Sequence, residues 1–149
     1  LTLEAGSDLT GVDGLTLYAG MSEIEQYQNA TTHNGDVSER VYGVKYATGG
    51  FTVGYQMSDE ETGQTATTDY ENTMYSVTFS VNDDLSIGYN HVESDEKGTA
   101  SDVTAEATSF QAAYTMGGAT VSIAEVSIDN RNYGSTNHDG TVLSLGLAF

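Results

Sequence analysis

Apolar and polar residues alternate with a period of two through nine segments of the chain, which predicts nine β-strands. The pattern is clearest in the last segment, residues 140–149, where every second residue from Thr141 is Thr, Leu, Leu, Leu and Phe. The other eight segments span about residues 1–8, 15–26, 37–47, 51–58, 70–81, 85–93, 104–116 and 119–129. We therefore expect an all-β protein in one domain that covers residues 1–149.

The connections between these segments alternate between short and long. The short ones carry the Gly and Asn-Asp turn chemistry of tight hairpins, at about residues 9–14, 48–50, 82–84 and 117–118. The long ones are rich in Asp, Glu, Thr, Asn and Gly, at about residues 27–36, 59–69, 94–103 and 130–139. This predicts an antiparallel up-and-down meander with one short-turn rim and one long-loop rim. Outer-membrane barrels have this asymmetry, whereas soluble sandwiches more often use irregular Greek-key connections.

The eighth segment breaks the alternation. Ile123 lies on its apolar face, which Glu125 would continue, while Val126 and Ile128 would fall on the polar face. A β-bulge near residue 124 would return Val126 and Ile128 to the apolar face. We therefore predict such a bulge, with Glu125 on the polar face.

The two faces of the predicted strands differ in bulk. The polar faces hold Gly, Ser, Thr, Ala, Gln and Asn, whereas a sandwich core needs bulky residues on its inner faces. Aromatic residues recur beside the short turns and toward the opposite rim, as in the two aromatic girdles of a membrane barrel. The first set is Tyr46, Phe51, Phe79, Tyr114 and Phe149, and the second is Tyr27, Tyr42, Tyr55, Tyr75 and Tyr89. This arrangement predicts a transmembrane β-barrel with an apolar exterior and a polar interior.

Composition narrows the classes of function. The chain has 22 acidic residues against four Lys and Arg, a net charge of −18, so it lacks the basic surface that nucleic acid or an anionic membrane surface requires. It has no Cys and therefore no disulfide or thiol site. No apolar run reaches about 18 residues, which argues against a transmembrane helix. The chain begins LTLEAG without a signal sequence, so we expect a mature chain or a fragment.

Four stretches resemble the outer-membrane general diffusion porins of Gram-negative bacteria, particularly those of alphaproteobacteria. They are LTLYAG at 15–20, GFTVGY at 50–55, LSIGY at 85–89 and LGLAF at 145–149. The resemblance implies an outer-membrane location, contact with lipid and lipopolysaccharide, and a homotrimer. It also implies that Phe149 is the signal read by the barrel-assembly machinery. Family members have sixteen strands, so we expect this chain to be the C-terminal portion of a larger barrel, without the constriction loop.

Several residues are candidates for the barrel lumen or for a metal site. The predicted pore-lining residues are Lys45, Gln56, Asn90, Gln111 and Glu125. Porin eyelets use opposed basic and acidic rows, so the resemblance gives Lys45 a role in orienting solutes; alternatively it is simply a solvated wall residue. The consecutive acids Asp59, Glu60 and Glu61 are candidate Ca²⁺ ligands or, alternatively, part of a solvated acidic loop that attracts cations.

We expect no enzyme and no required cofactor. His91 is followed by Ser94 and Asp95, and His33 and His138 also lie near the long-loop side, but no nucleophile, base and orienting group form a set. The leading hypothesis is a porin for passive diffusion of small hydrophilic solutes and ions. The alternatives are a small outer-membrane barrel that acts as an anchor or adhesin, and a soluble acidic β-sandwich that binds ligands.

Overall fold

The structure is a computed structural model that describes residues 1–29, 32–63, 68–98 and 101–148. For residues 26–29 and 32–34 it describes the backbone alone. Phe149 lies outside the described residues, as do parts of the predicted loops at 27–36, 59–69 and 94–103.

Nine strands occupy most of the described chain. They are β1 (Thr2–Ala5), β2 (Leu15–Asn29), β3 (Thr32–Thr48), β4 (Phe51–Glu61), β5 (Asp69–Ser80), β6 (Leu85–Lys97), β7 (Val103–Met116), β8 (Ala119–Asp129) and β9 (His138–Leu147). A one-turn helix, α1 (Ser7–Thr10), links β1 to β2, and a short 3₁₀ segment (Arg131–Tyr133) lies between β8 and β9. In the described ranges, no helix has the length and apolar character needed to cross a membrane.

All nine strands belong to one sheet whose spatial order is the sequence order, and each neighbouring pair is antiparallel. The predicted all-β, up-and-down architecture is therefore confirmed. In the part of the chain that is described, no ladder joins β9 to β1, so the sheet has two free edges. Each edge strand leaves a row of backbone groups without a sheet partner.

The strands at the long-loop rim run further than predicted, while β1 is shorter. β2 continues to Asn29 and β3 begins at Thr32, so most of the predicted loop at 27–36 is paired strand. β4 likewise extends to Glu61. The reason is that a ladder needs only backbone hydrogen bonds and compatible cross-strand neighbours, and polar residues satisfy both conditions. β1 ends at Ala5 because residues 7–10 form α1.

The register divides the side chains into two faces, because directly opposite residues of paired strands point the same way. On one face, an apolar row runs across the sheet through the pairs Leu17↔Val44, Val44↔Tyr55 and Tyr55↔Tyr75. We call this the apolar face. The other, called the polar face, carries Thr, Ser, Gly, Gln and Asn between the apolar positions.

The apolar face is the more exposed of the two. From Phe51 to Gln56 of β4 and from Thr120 to Asp129 of β8, the exposed positions of the apolar face alternate with half-buried positions of the polar face. Leu143 and Leu145 of β9 are 73% and 64% exposed. Val37, at 8%, is the one hydrophobic residue among the described side chains that is buried. Since a water-soluble sandwich buries its bulky residues between two layers, this single layer fits a lipid environment.

Aromatic side chains lie on the apolar face near the short turns, as the girdle pattern predicts. Phe51 directly follows the Gly49-Gly50 turn and stacks on Phe79 of β5, with ring centroids 4.3 Å apart. Farther up the same face, Tyr75 contacts Tyr89, and Tyr89 contacts Phe110. The side chain of Tyr27, predicted for the second girdle, lies outside the described side chains.

Candidate functional site on the polar face

Four of the five predicted lumen residues lie together on the polar face. Lys45 and Asn90 share one row, which runs from Lys45 through Gly54 and Ser76 to Asn90. Gln56 lies one row nearer the long-loop rim, opposite Gly43. Gln111 lies one row nearer the short turns, opposite Gly88. Three adjacent rows of the polar face therefore hold all four side chains.

Gln56 is held by two neighbours on the same face. The Tyr18 hydroxyl donates a 2.9 Å hydrogen bond to Gln56 Oε1, and Gln56 Nε2 lies 3.9 Å from the sulfur of Met74. The contacts join β2, β4 and β5 across the polar face. Tyr18 was not among the predicted site residues. The signal that could have found it is a large side chain on a face of small ones, between Thr16 and Gly20.

The prediction for Glu125 is wrong, because β8 contains no bulge. The β7–β8 and β8–β9 registers are continuous through residues 119–129, and they place Glu125 opposite Phe110 and Thr141 on the apolar face. Val126 and Ile128 fall on the polar face. A bulge would interrupt two ladders. The regular ladder avoids this and gives Glu125 a partner, since the Thr141 hydroxyl donates a 2.7 Å hydrogen bond to its carboxylate.

An acidic row lies on the polar face near the long-loop rim. Glu39 is directly opposite Glu60, Glu60 is opposite Tyr70, and Tyr70 is opposite Glu96. The Ser22 hydroxyl donates to Glu39 at 2.8 Å. Three carboxylates thus share one row of the polar face. The nearest basic strand residue on that face is Lys45. Sequence reasoning placed Glu39 in a strand but Glu60 and Glu96 in loops, because it ended those strands too early, and so it missed the row.

The proposed calcium ligands Asp59, Glu60 and Glu61 are not brought together. They alternate along β4, so Glu60 faces the polar side while Asp59 and Glu61 face the other. Arg40 lies 3.5 Å from Asp59 and 3.2 Å from Glu61 and forms ion pairs with both. Among the described residues, no group of three His, Cys, Asp or Glu side chains is arranged to hold a metal ion.

A second charged group, which we call the Lys97 cluster, lies beyond the apolar rows at the outer end of β6. The Lys97 ammonium is 3.1 Å from Asp95, 3.3 Å from Glu71 and 3.4 Å from Asp102. The neighbouring carboxylates, Asp95 first, raise the pKa of Lys97 above its usual value. A hydrogen bond from the Thr104 hydroxyl, together with Lys97, lowers the pKa of Asp95. These charged residues lie where the apolar residues of the apolar face end, at the long-loop rim.

The structure does not bring His91 and Ser94 together as a catalytic pair. His91 is buried on the apolar-face side, stacked on Tyr75 with centroids 4.8 Å apart. Its ring nitrogens lie 3.1 Å from the Thr108 hydroxyl and 3.0 Å from Glu93. Ser94 points to the opposite face and bonds Asn72. The side chain of His33 lies outside the described side chains.

Comparison with known proteins agrees with this architecture. A model of the family described as Gram-negative porin matches residues 2–149. The search of curated proteins found no match. The family match covers nearly the whole chain, and the sheet has the apolar exterior and polar wall that such a protein needs. The chain belongs to the Gram-negative porin family, a family of non-enzymatic channels, and is a transmembrane β-barrel protein of the bacterial outer membrane.

Proposed function

We propose that the polar face forms the wall of a water-filled channel through which small hydrophilic solutes and ions diffuse passively. The observation that carries this proposal is the placement of Lys45, Gln56, Asn90 and Gln111 in three adjacent rows of one face. Water must hydrate these groups, because lipid offers them no hydrogen bonds. Diffusion through such a channel needs no cofactor and no chemical step.

We further propose that the nine strands are part of a larger closed barrel, as the resemblance to sixteen-stranded porins suggests. The two free edges at β1 and β9 support this, since an open edge cannot be exposed to lipid. The small side chains of the polar face also support it. An eight- or nine-stranded barrel would be narrow enough to need bulky side chains to fill its interior.

The acidic row of Glu39, Glu60 and Glu96 supports a preference for cations. A ring of carboxylates inside a pore raises the local cation concentration and repels anions. The overall net charge of −18 acts in the same direction. We therefore propose that cations and cationic solutes pass more readily than anions of similar size.

Planar-bilayer recording tests the channel directly. The purified protein, reconstituted in neutral lipid, is expected to give stepwise increases in current, with a reversal potential in a salt gradient that indicates cation preference. The double variant E39Q/E60Q is expected to reduce that preference, because it removes charge without changing size. Folded protein that inserts but gives no current steps would contradict the channel and favour an anchor or adhesin.

Assembly is proposed on the family resemblance alone. We propose a homotrimer in contact with lipid and lipopolysaccharide, inserted by the barrel-assembly machinery through Phe149. Replacing Phe149 by Ala is expected to reduce the amount of protein in outer-membrane fractions, with Phe110→Ala as a control for loss of an aromatic side chain. Equal amounts of both variants in the membrane would contradict a role for Phe149.

A further inference from the structure

We propose that Tyr18 sets the local width of the channel, because Gly43 and Gln56 hold its side chain down along the wall. This inference rests on the channel proposed above and names the residue that controls its aperture. The three residues lie on neighbouring strands β2, β3 and β4, and Tyr18 is directly opposite Gly43, which is directly opposite Gln56.

Gly43 supplies the space for the tyrosine side chain. A Cβ atom at position 43 would lie 2.4 Å from both Cζ and the hydroxyl oxygen of Tyr18, and 2.8 Å from the backbone oxygen of Tyr55. These separations are far shorter than the 3.5–4.0 Å at which carbon atoms pack. The phenol end of Tyr18 therefore occupies the volume that any other residue at position 43 would fill.

Gln56 fixes the far end of the tyrosine. Its Oε1 accepts a 2.9 Å hydrogen bond from the Tyr18 hydroxyl. Two strand spacings separate β2 from β4, roughly 9–10 Å, so a tyrosine that reaches Gln56 must extend across the sheet and not into the lumen. Both Tyr18 and Gln56 are half-buried, as expected for side chains that lie on a wall.

The position of Tyr18 gives it control over the path of a solute. It borders a hollow of about 420 Å³ on the polar face, which is also lined by Lys45, Gln56, Met74 and Asn90. Lys45 is one row away, so a tyrosine released from the wall would project into the lumen beside the lumenal ammonium group. A similar arrangement occurs in β6 and β7, where Gln111 lies over Gly88. A Cβ atom at position 88 would lie 3.2 Å from the Cγ of Gln111.

Single-channel conductance of the purified protein tests the proposal with three variants. Gly43→Ala is expected to lower the unitary conductance, because its methyl group displaces the ring into the lumen. Tyr18→Ala is expected to raise it. The double variant G43A/Y18A is expected to lose the decrease seen with G43A alone, since no ring remains to displace.

Gly54→Ala is the matched control, because Gly54 lies one row away on the same face. A Cβ there would meet only the flexible Ser76 hydroxyl at 3.0 Å and the Val44 backbone oxygen at 3.9 Å. Its conductance is expected to equal that of the wild type. Gel mobility with and without heating shows whether each variant is folded. If G43A does not fold, Tyr18→Phe provides the test in its place. Y18F keeps the ring but loses the bond to Gln56, and is expected to add brief partial closures.

The outcomes separate this inference from the channel itself. A wild-type protein without current steps would overturn the proposed function. A conducting wild type whose conductance is unchanged in Y18A, and whose open level is as steady in Y18F, would overturn the role of Tyr18 and leave the channel in place. A decrease in G54A equal to that in G43A would also overturn it, because the effect would then belong to any added methyl group.

Discussion

At the scale of single residues, the face on which a side chain lies decides what it can do. Lys45 and Glu125 are both charged residues within strands, and the sequence alone assigned both to the lumen. The ladder places Lys45 on the polar face and Glu125 on the apolar face, opposite Phe110. A one-residue shift in register would exchange the two faces, so the assignment depends on the pairing and not on the residue type.

We predict that neutralising Lys45 changes ion selectivity while neutralising Glu125 does not. Lys45→Gln removes a positive charge from the wall, so the reversal potential in a salt gradient is expected to move toward stronger cation preference. Glu125→Gln changes a charge outside the pore and is expected to leave the reversal potential unchanged. A shift in E125Q as large as that in K45Q would mean that Glu125 reaches the lumen.

The difference between these residues shows how far the sequence could predict the site. Lys45, Gln56, Asn90 and Gln111 lie in strands of unbroken alternation, so their shared face followed from counting positions. Glu125 lies where the alternation conflicts with hydrophobicity, and the conflict has two solutions: a bulge, or an acid on the apolar face. The cross-strand hydrogen bond from Thr141 supports the second solution, and it is visible only when β8 and β9 are paired.

At the scale of strands and hairpins, cross-strand contacts hold neighbouring elements together. The stacked rings of Phe51 and Phe79 join β4 to β5 next to the short turns, where the chain reverses at Gly49 with a φ of 55°. At the other rim, the Lys97 cluster joins β5, β6 and Asp102, which directly precedes β7. Apolar contacts thus act at one end of the strands and charged contacts at the other.

We predict that the Phe51–Phe79 pair contributes about 0.5–1.5 kcal/mol of coupling energy, as aromatic pairs do beyond their buried area. The measurement is a double-mutant cycle with F51L, F79L and F51L/F79L, using urea unfolding from detergent micelles or lipid vesicles. The neighbouring pair Val53 and Val77, also directly opposite each other, is the control and should show a smaller coupling. Equal coupling in the two pairs would show that ring stacking adds nothing.

We predict that acid loosens the outer ends of β6 and β7. In the folded protein the pKa of Asp95 lies below its usual value of 3.8. The contribution of Asp95 to stability is therefore complete above pH 3.8 and is lost as the pH falls through the lower pKa of the folded state. Amide hydrogen exchange, corrected for intrinsic rates, should show faster opening of this region in strong acid. Asp95→Asn should already open faster at neutral pH and show less acid dependence. Acid dependence equal to that of the wild type would contradict the role of Asp95.

At the scale of the whole molecule, the described chain forms one sheet with two free edges. In the described chain, β1 pairs only with β2 and β9 pairs only with β8. Such a sheet encloses water only when its two edges are closed. In the channel proposed above, the excess of acidic residues, 22 against four basic ones, is expected to give the enclosed water a negative potential.

We predict that β1 and β9 are not neighbours in the assembled barrel. The chain has no native Cys, so paired cysteines can report distance without interference. Ser122 and Ser144 are directly opposite on the polar face, and S122C/S144C is expected to form a disulfide on mild oxidation. T2C/S144C, which tests the two edges, is expected to remain reduced. Rapid cross-linking of T2C/S144C would mean that the nine strands close on themselves.

The sequence by itself determined that the chain forms nine strands in a meander and which face of most strands is apolar. These properties follow from the two-residue period and from turn residues, which act locally. Only the tertiary structure decided the length of the hairpins, the face of Glu125, the acidic row of Glu39, Glu60 and Glu96, and the position of Tyr18 over Gly43. Each of these depends on which residue of a neighbouring strand lies directly opposite, and that register is a property of paired strands.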